Sequence, residues 1–259
     1  MEVKDRVAVI TGGGRGLGRA IALTMSHEGA RIVIMGRTGS SLDDTAGTII
    51  RQGGECLPVK GDVSRERDVR SMVDQALERF SRIDILVNNG AVIGPARFLE
   101  DAEPPAWKKT LAVNLTGPYL CSREVVPIMG RQGAGKIINI ASGLGQMPFP
   151  RFCAYAVSKA GLIQLTRSLS EELKPLNIQV NAIDPGVMDT GMQEAVRALG
   201  SGVLGDEIHR SFVSYKEDGG LRDPEAVAPL VVFLASFRSD GLTGRYGSMA
   251  DYRRLGFNG

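Results

Sequence analysis

Two side chains in the string AYAVSKAG, Tyr155 and Lys159, are suited to acid–base chemistry. The string has helical spacing, so residues four apart lie on one face, with their Cβ atoms about 5–6 Å from each other. A free phenol, whose pKa is about 10, transfers protons poorly at neutral pH, but a nearby ammonium favours the phenolate and lowers that pKa by about 1 to 3 units. The pair therefore predicts a tyrosine that serves as a general acid.

A serine hydroxyl belongs to the same candidate site. Ser142 directly follows the apolar run KIINIA (136–141) and precedes Tyr155 by thirteen residues. If that run is a strand, its end lies where α/β sheets bind their ligands. We expect the Ser142 hydroxyl to donate a hydrogen bond to a substrate carbonyl.

A glycine-rich string, TGGGRGLG (11–18), could hold a phosphate. Its glycines Gly12, Gly16 and Gly18 have the spacing G-x-x-x-G-x-G, not the strict G-x-G-x-x-G. They stand between a β-branched run and a helical pattern, where glycines let the backbone approach a pyrophosphate placed at a helix N-terminus. Arg15 puts a cation at that positive helix end, which a bound phosphate would explain.

The end of the second apolar run indicates which dinucleotide binds. NAD-binding units carry Asp or Glu there, on the ribose 2′-hydroxyl, whereas this chain has Gly36 and Arg37. A guanidinium pairs with a 2′-phosphate that a carboxylate would repel. Arg37, with Arg15, therefore favours NADP(H) over NAD(H).

These residues must be positioned by an alternating pattern of strands and helices. Short apolar runs alternate with helix-length segments, and they are continuously apolar, as in parallel strands covered on both faces. The pattern predicts an α/β fold with a doubly wound parallel sheet, in a single domain over residues 1–259. The strands are expected at 6–11, 31–36, 55–60, 83–89, 136–141 and 178–184, the first helix at about 15–28, and a late helix over DPEAVAPLVVFLAS.

The composition excludes several function classes. The net charge of +2 provides no broad field for nucleic acid or a membrane surface, and no apolar run is long enough to span a bilayer. Three cysteines without metal-ligand spacing and only two histidines predict reduced thiols and no metal site. With no signal peptide recognised at MEVKDR, the expected location is cytoplasmic.

The strings together resemble the classical short-chain dehydrogenase/reductase family, whose fold is the Rossmann fold, over nearly the whole chain. The resemblance rests on TGGGRGLG, on VNNGA (87–91), VNLTG (113–117) and DPGVMDT (184–190), and on Ser142, Tyr155 and Lys159. It implies that Tyr155 is the proton donor or acceptor, that Lys159 lowers its pKa and holds the nicotinamide ribose, that Ser142 polarises the carbonyl, and that Asn114 holds a water of the proton relay. The residues implied to bind the cofactor are Gly12, Arg15, Gly16, Leu17, Gly18, Arg37, Asp62, Val63, Asn89, Gly90, Tyr155, Lys159, Pro185, Gly186, Met188 and Thr190.

The chain departs from the family pattern at two places. It has Gly90-Ala91 where the family usually has Ala-Gly, and it ends in LTGRYGSMADYRRLGFNG rather than in a Val-Asp-Gly-Gly strand that helps to build a tetramer. We expect cofactor binding to survive the first departure. The family still implies a homo-oligomer, a tetramer or a dimer.

The substrate is expected to be a small-molecule or carrier-bound carbonyl compound. The loop and site strings resemble those of 3-oxoacyl-[acyl-carrier-protein] reductases, NADPH-dependent enzymes of fatty acid biosynthesis that reduce a 3-oxoacyl thioester to the 3-hydroxyacyl form. A pattern-poor segment at about 191–220 is expected to be a lid over the substrate. Apolar residues that could form the substrate wall are Gly143, Leu144, Met147, Pro148, Phe149 and Phe152.

Two other functions remain open. A dehydrogenase of the same family could oxidise an alcohol, a sugar or a steroid with NAD(P), although Gly36 and Arg37 disfavour NAD. A non-catalytic dinucleotide sensor could use the same fold. A sensor would not need Asn114, Ser142, Tyr155 and Lys159 together, so we favour an enzyme.

Overall fold

One seven-stranded sheet, parallel throughout, forms the centre of the computed structural model, which describes residues 1–258. Its strands are β1 (Val7–Thr11), β2 (Arg31–Gly36), β3 (Cys56–Lys60), β4 (Ile85–Asn88), β5 (Gly135–Ile140), β6 (Ile178–Asp184) and β7 (Tyr246–Ser248). The order across the sheet is β3-β2-β1-β4-β5-β6-β7, so β2 and β3 lie on one side of β1 and the later strands lie on its other side. This is the doubly wound Rossmann arrangement predicted above.

Helices cover both faces of the sheet. A short π-helical turn, Ala112–Thr116, joins α4 to α5. The helices are α1 (Gly16–His27), α2 (Gly39–Arg51), α3 (Glu66–Phe80), α4 (Pro104–Leu111), α5 (Gly117–Gln132), α6 (Cys153–Glu172), α7 (Gly191–Arg197), α8 (Ser201–Leu204), α9 (Asp206–Glu217), α10 (Pro224–Ala235) and α11 (Met249–Arg253).

The apolar strands divide the core into two layers, because successive side chains of a strand point to opposite faces. From β1, Ala8 and Ile10 pack into a cluster with α1, α2 and α10, whereas Val7 and Val9 pack into a second cluster with α3 and α5. All five residues of β1 are buried. Continuous burial explains why these strands lack polar–apolar alternation.

Hydrogen bonds between buried polar side chains hold α6 against the sheet. Asn88 Nδ2 donates to Asn139 Oδ1 at 2.8 Å, and Asn139 Nδ2 donates to Thr166 Oγ1 at 2.8 Å. The chain of bonds runs from β4 through β5 to α6. It fixes the helix that carries Tyr155 and Lys159 relative to the strands that carry the rest of the candidate site.

The structure differs from the sequence expectation in two regions. Residues 191–217, expected as a lid without regular pattern, form the three short helices α7, α8 and α9. The glycine-punctuated tail contains a seventh strand, β7, which pairs with β6, and the hydroxyl of Tyr252 in α11 donates to the carbonyls of Ala182 (2.9 Å) and Arg245 (3.2 Å). Several of these elements, such as β7 with three residues and α8 with four, are too short to give a periodic signal and depend on tertiary contacts.

None of the helices in the described part of the chain is both long enough and apolar enough to cross a membrane.

Candidate active site

A cleft of about 530 Å³ opens at the carboxyl ends of the strands. This is the sheet edge at which doubly wound folds bind ligands. With the exception of Asn114, every residue predicted to be catalytic or to bind the cofactor lines the cleft. These residues are Gly12, Arg15, Gly16, Leu17, Gly18, Arg37, Asp62, Val63, Asn89, Gly90, Ser142, Tyr155, Lys159, Pro185, Gly186, Met188 and Thr190.

The glycines of the loop allow its backbone to pack closely against neighbouring segments of the protein. Gly12 and Gly16 have φ values of +69° and +51°, and a Cβ atom on Gly18 would lie 2.2 Å from the carbonyl oxygen of Gly12. No side chain caps the N-terminus of α1, where Arg15 is the N-cap residue. The uncapped N–H groups of α1 suit a pyrophosphate, so the loop fits a dinucleotide.

The reversed Gly90-Ala91 dipeptide is compatible with this geometry. Gly90 N and Asn89 N both donate to Thr11 Oγ1 at 3.0 Å, and Asn89 Nδ2 donates to the Thr11 carbonyl at 2.9 Å. A Cβ atom on Gly90 would lie 3.4 Å from Thr11 Oγ1, an ordinary contact. Position 90 therefore accepts either glycine or alanine.

Arg37 lies near the carboxylate of Asp62 in the cleft. Although burial pushes the pKa of Asp62 upward, hydrogen bonds from Ser64 and the charges of Arg37 and Arg65 hold that pKa below its usual range. Ser64 Oγ donates to Asp62 Oδ1 at 2.7 Å. The carboxylate thus remains ionised, and Arg37 contributes a guanidinium beside it in the cleft.

Tyr155 and Lys159 lie together on α6, as predicted, and the end of β5 brings Ser142 to them. Lys159 Nζ lies 5.6 Å from the centre of the Tyr155 ring and donates to the Ile140 carbonyl at 2.6 Å. Ser142, which precedes a 3₁₀ turn, accepts a hydrogen bond from Leu144 N at 3.3 Å. A proton donor, a cation and a hydroxyl therefore meet at one place in the cleft.

The protonation of the pair differs from the sequence expectation. Burial raises the pKa of Tyr155 to about 12; a hydrogen bond with Ser142 lowers it, and the Asp184 charge raises it further. Burial also lowers the pKa of Lys159 to about 8. Desolvation of the phenolate is thus the largest influence on the pKa of Tyr155. The phenol is protonated at neutral pH, the form that donates a proton.

Asn114 is the predicted residue that the structure places behind the cleft. It lies in the π-helical turn and is only 1% exposed. Its amide donates to the Val92 carbonyl (2.8 Å) and to Ser158 Oγ (3.1 Å) and accepts from Val92 N (2.9 Å). The side chain ties the segment after β4 to α6 beside Lys159, and it would have to give up one of these bonds to hold a water.

Sequence reasoning missed Asp184, which also lines the cleft. It is the last residue of β6, and its Oδ1 accepts from Gly186 N at 3.0 Å. The signal was present, because an ionisable residue at the end of a parallel strand points to the ligand-binding edge. Residues 1–258 contain no cluster of His, Cys, Asp or Glu side chains suited to a metal ion.

Opposite the glycine loop, the cleft has an apolar wall. Of the predicted wall residues, Gly143, Leu144, Met147, Phe149 and Phe152 line the cleft, and Pro148 does not. Phe149, Phe152 and Phe212 form an aromatic cluster with ring centres 5.5–6.2 Å apart.

The helices of segment 191–217 pack onto this wall. Val196 from α7, Leu204 from α8 and Phe212 from α9 are buried in one cluster with Phe152. The segment therefore covers the apolar end of the cleft.

Arg151 fastens this segment to the start of α6. Its Nη1 donates to the Val203 carbonyl at 2.7 Å, and its guanidinium lies 3.9 Å from the centre of the Phe98 ring. The backbone at Arg151 has a φ of +69°, and its carbonyl accepts from Arg97 N at 2.9 Å. Three separate segments thus meet at one side chain.

We predict that Arg151→Ala loosens α8. Losing a charge-assisted hydrogen bond and a cation–π contact removes about 1–2 kcal/mol, so the segment should open about tenfold more often. Amide hydrogen exchange at 201–205 measures this opening. Arg210→Ala is the matched control, since the Arg210 guanidinium bonds to the Asp206 carbonyl in its own helix. Equal exchange in the two variants would contradict the role of Arg151.

Comparison with known proteins identifies the chain. Residues 6–199 match the family model described as short chain dehydrogenase. The chain belongs to the short-chain dehydrogenase family. It is thus an oxidoreductase of that family, which acts on small molecules with a nicotinamide dinucleotide cofactor.

Relatives within the short-chain dehydrogenase family carry different names. The chain is 34% identical to a 3-oxoacyl-[acyl-carrier-protein] reductase of Synechocystis sp. over 89% of both chains. It is 32% identical to a cis-4-hydroxycyclohexanecarboxylate dehydrogenase of Sinomonas cyclohexanicum over 93% of both chains. Among solved structures, an NAD⁺-bound xylitol dehydrogenase superposes with a TM-score of 0.89 at 28% identity, covering 96% of this chain and 99% of the other.

Proposed function

We propose that this short-chain dehydrogenase uses NADPH to reduce a ketone to a secondary alcohol, and that the ketone is a 3-oxoacyl thioester of acyl-carrier protein or CoA. The observation that carries the proposal is the meeting of Ser142, protonated Tyr155 and Lys159 between a phosphate-binding loop and an apolar wall. The cofactor supplies the hydride, and the side chains bind, orient and protonate the substrate.

Each side chain has a distinct task in the proposed reaction. The Ser142 hydroxyl donates a hydrogen bond to the substrate carbonyl, which orients the carbon toward the cofactor. Tyr155 delivers its phenolic proton to the same oxygen, where negative charge develops. Lys159 holds the nicotinamide ribose and stabilises the tyrosinate that remains.

The positively charged side chains that line the cleft support NADPH as the cofactor. Gly36 offers no carboxylate to a ribose 2′-hydroxyl, and Arg15 and Arg37 both line the cleft. A 2′-phosphate between two guanidinium groups gains charge-assisted hydrogen bonds that NADH cannot make.

The apolar wall of the cleft and the name of one relative support a thioester as the substrate. Phe149, Phe152 and Phe212 present an apolar surface that an acyl chain can bury. The Synechocystis relative is named as a 3-oxoacyl-[acyl-carrier-protein] reductase. The aromatic cluster also suits a compact cyclic ketone, which agrees with the name of the Sinomonas relative, so a ring ketone is the second candidate.

The test is consumption of NADPH with acetoacetyl-CoA, with NADH and a substituted cyclohexanone assayed in parallel. We expect NADPH-selective turnover of the thioester, and Tyr155→Phe serves as the inactive control. If only the ring ketone is reduced, the reductase function stands, and a cyclic ketone replaces the thioester as the proposed substrate. If neither ketone is reduced with either cofactor, the proposed substrates are wrong.

We also propose a cytoplasmic homo-oligomer, a tetramer or a dimer. The three cysteines are free thiols, as expected in a reducing compartment. Tyr119 on α5 and Val157 on α6 are 47% and 44% exposed, and such apolar side chains suit a subunit contact.

A further inference from the structure

The 3₁₀ turn Gly143–Gly145, which directly follows Ser142, packs its backbone against the backbone of α6. A Cβ atom on Gly145 would lie 2.9 Å from the carbonyl carbon of Lys159 and 3.0 Å from the nitrogen of Ala160. Carbon atoms that are not bonded pack at about 3.5–4.0 Å, so a side chain at position 145 would force the turn and the helix apart. Gly145 does not line the cleft, so it acts on the site only through its neighbours.

The helix is held from other sides, so the turn is the part that would move. Lys159 Nζ donates to the carbonyl of Ile140 at 2.6 Å, and Asn139 Nδ2 donates to Thr166 Oγ1 at 2.8 Å. Both hydrogen bonds join α6 to β5, and all four of these residues are buried. Shifting the helix would break bonds that no water could replace, whereas the turn has only three residues.

Two hydrogen bonds couple the turn to Ser142. Gly145 N donates to the carbonyl of Ser142 at 2.9 Å, and Leu144 N donates to the hydroxyl oxygen of Ser142 at 3.3 Å. The first residue of the turn also has a close neighbour, since a Cβ atom on Gly143 would lie 3.0 Å from Asp184 Oδ2. A displacement of Gly145 is therefore passed on to the serine that carries the hydroxyl.

We propose that Gly145 is a positioning residue for the reduction: because it has no side chain, the turn lies directly on α6 and holds the Ser142 hydroxyl where it and Tyr155 reach the same carbonyl oxygen. The inference rests on the role proposed above for Ser142. A misplacement of about 1 Å can cost a reaction 10²-fold in rate, so Gly145→Ala should lower kcat by roughly 10- to 100-fold. The Kd for NADPH should stay within about twofold, because the turn moves and Lys159 does not.

The test is a double-mutant cycle of Gly145→Ala and Ser142→Ala, assayed by NADPH oxidation with acetoacetyl-CoA or the substituted cyclohexanone, whichever the wild type reduces. Ser142→Ala has already removed the hydroxyl, so adding Gly145→Ala to it should lower kcat by less than about twofold. If the second substitution instead costs as much as it does in the wild type, the glycine acts on another group, and the proposal is overturned.

Gly47→Ala is the matched control for the added methyl group. Gly47 lies on α2, where the nearest atom that a Cβ would meet is Arg51 Nη1, at 3.2 Å on the flexible end of that side chain, so kcat should not change. If Gly145→Ala does not fold, it is combined with Ile163→Val. That change removes the Cδ1 atom, which also lies 2.9 Å from the new Cβ position, and leaves the contact with the helix backbone.

Crystal structures of the wild type and of Gly145→Ala test the geometry without a substrate. Relief of the contact with α6 should move Ser142 Oγ by about 0.5 Å or more relative to the Tyr155 hydroxyl. An unmoved Ser142 would overturn the proposal whichever ketone is reduced. A displaced Ser142 in a protein whose wild type reduces neither ketone supports the role of Gly145 and shows that only the proposed substrates are wrong.

Discussion

Tyr155→Phe is expected to lower kcat by ~10²–10⁴-fold while leaving the Kd for NADPH within about twofold. The substitution removes only the hydroxyl that delivers the proton. The ring packs against the cluster of Phe152, Val196, Leu204 and Phe212, and a phenylalanine retains this packing. Steady-state NADPH oxidation measures turnover, and quenching or enhancement of NADPH fluorescence measures binding.

Tyr119→Phe is the matched control for this prediction. It removes a hydroxyl from α5 outside the cleft, and phenylalanine keeps the apolar ring that the proposed subunit contact needs, so kcat should not change. If Tyr155→Phe turned over as fast as the wild type, Tyr155 would not be the general acid. A large rise in the Kd for NADPH would instead make the hydroxyl a binding group.

Arg37→Asp is expected to change the ratio of kcat/KM for NADPH over NADH by about a hundredfold or more in favour of NADH. The substitution removes a charge-assisted hydrogen bond to the 2′-phosphate, worth roughly 1.5–3 kcal/mol, and adds a repelling carboxylate. The new carboxylate can also accept hydrogen bonds from the 2′-hydroxyl of NADH. Parallel assays with the two cofactors give the ratio.

Arg19→Asp is the control for this charge reversal. Arg19 lies on α1 one turn after Arg15 and does not line the cleft. The same change of two charges there should leave the cofactor ratio close to that of the wild type. If the cofactor ratio also stays constant in Arg37→Asp, the proposed contact between Arg37 and the 2′-phosphate of NADPH is wrong.

Sequence reasoning located most of the cleft because its residues stand at the ends of strongly apolar strands. Ser142 and the glycine loop follow β5 and β1, and the topology of a parallel sheet brings such ends together. The six strands of the continuous apolar pattern are all present. Their ends differ from the predicted bounds by at most two residues, because pairing with neighbours decides where a strand stops.

The features that were missed depend on distant partners. β7 has three residues and gives no pattern of its own, and it is stabilised by pairing with β6 and by the buried Tyr252. The amide of Asn114 bonds to Val92, 22 residues earlier. The protonation of Tyr155 depends on how deeply the fold buries the hydroxyl, which residue spacing cannot tell.

The glycine loop has a thermodynamic consequence for cofactor binding. Thr11 and Asn89 hold it against the segment after β4 through hydrogen bonds of 2.9–3.0 Å within the protein itself. Ordering a flexible backbone costs roughly 1–2 kcal/mol per residue, and here that entropy is lost once, when the chain folds. Each dinucleotide that binds then meets a preorganised surface, so the free energy of its phosphate contacts goes into affinity rather than into ordering the loop.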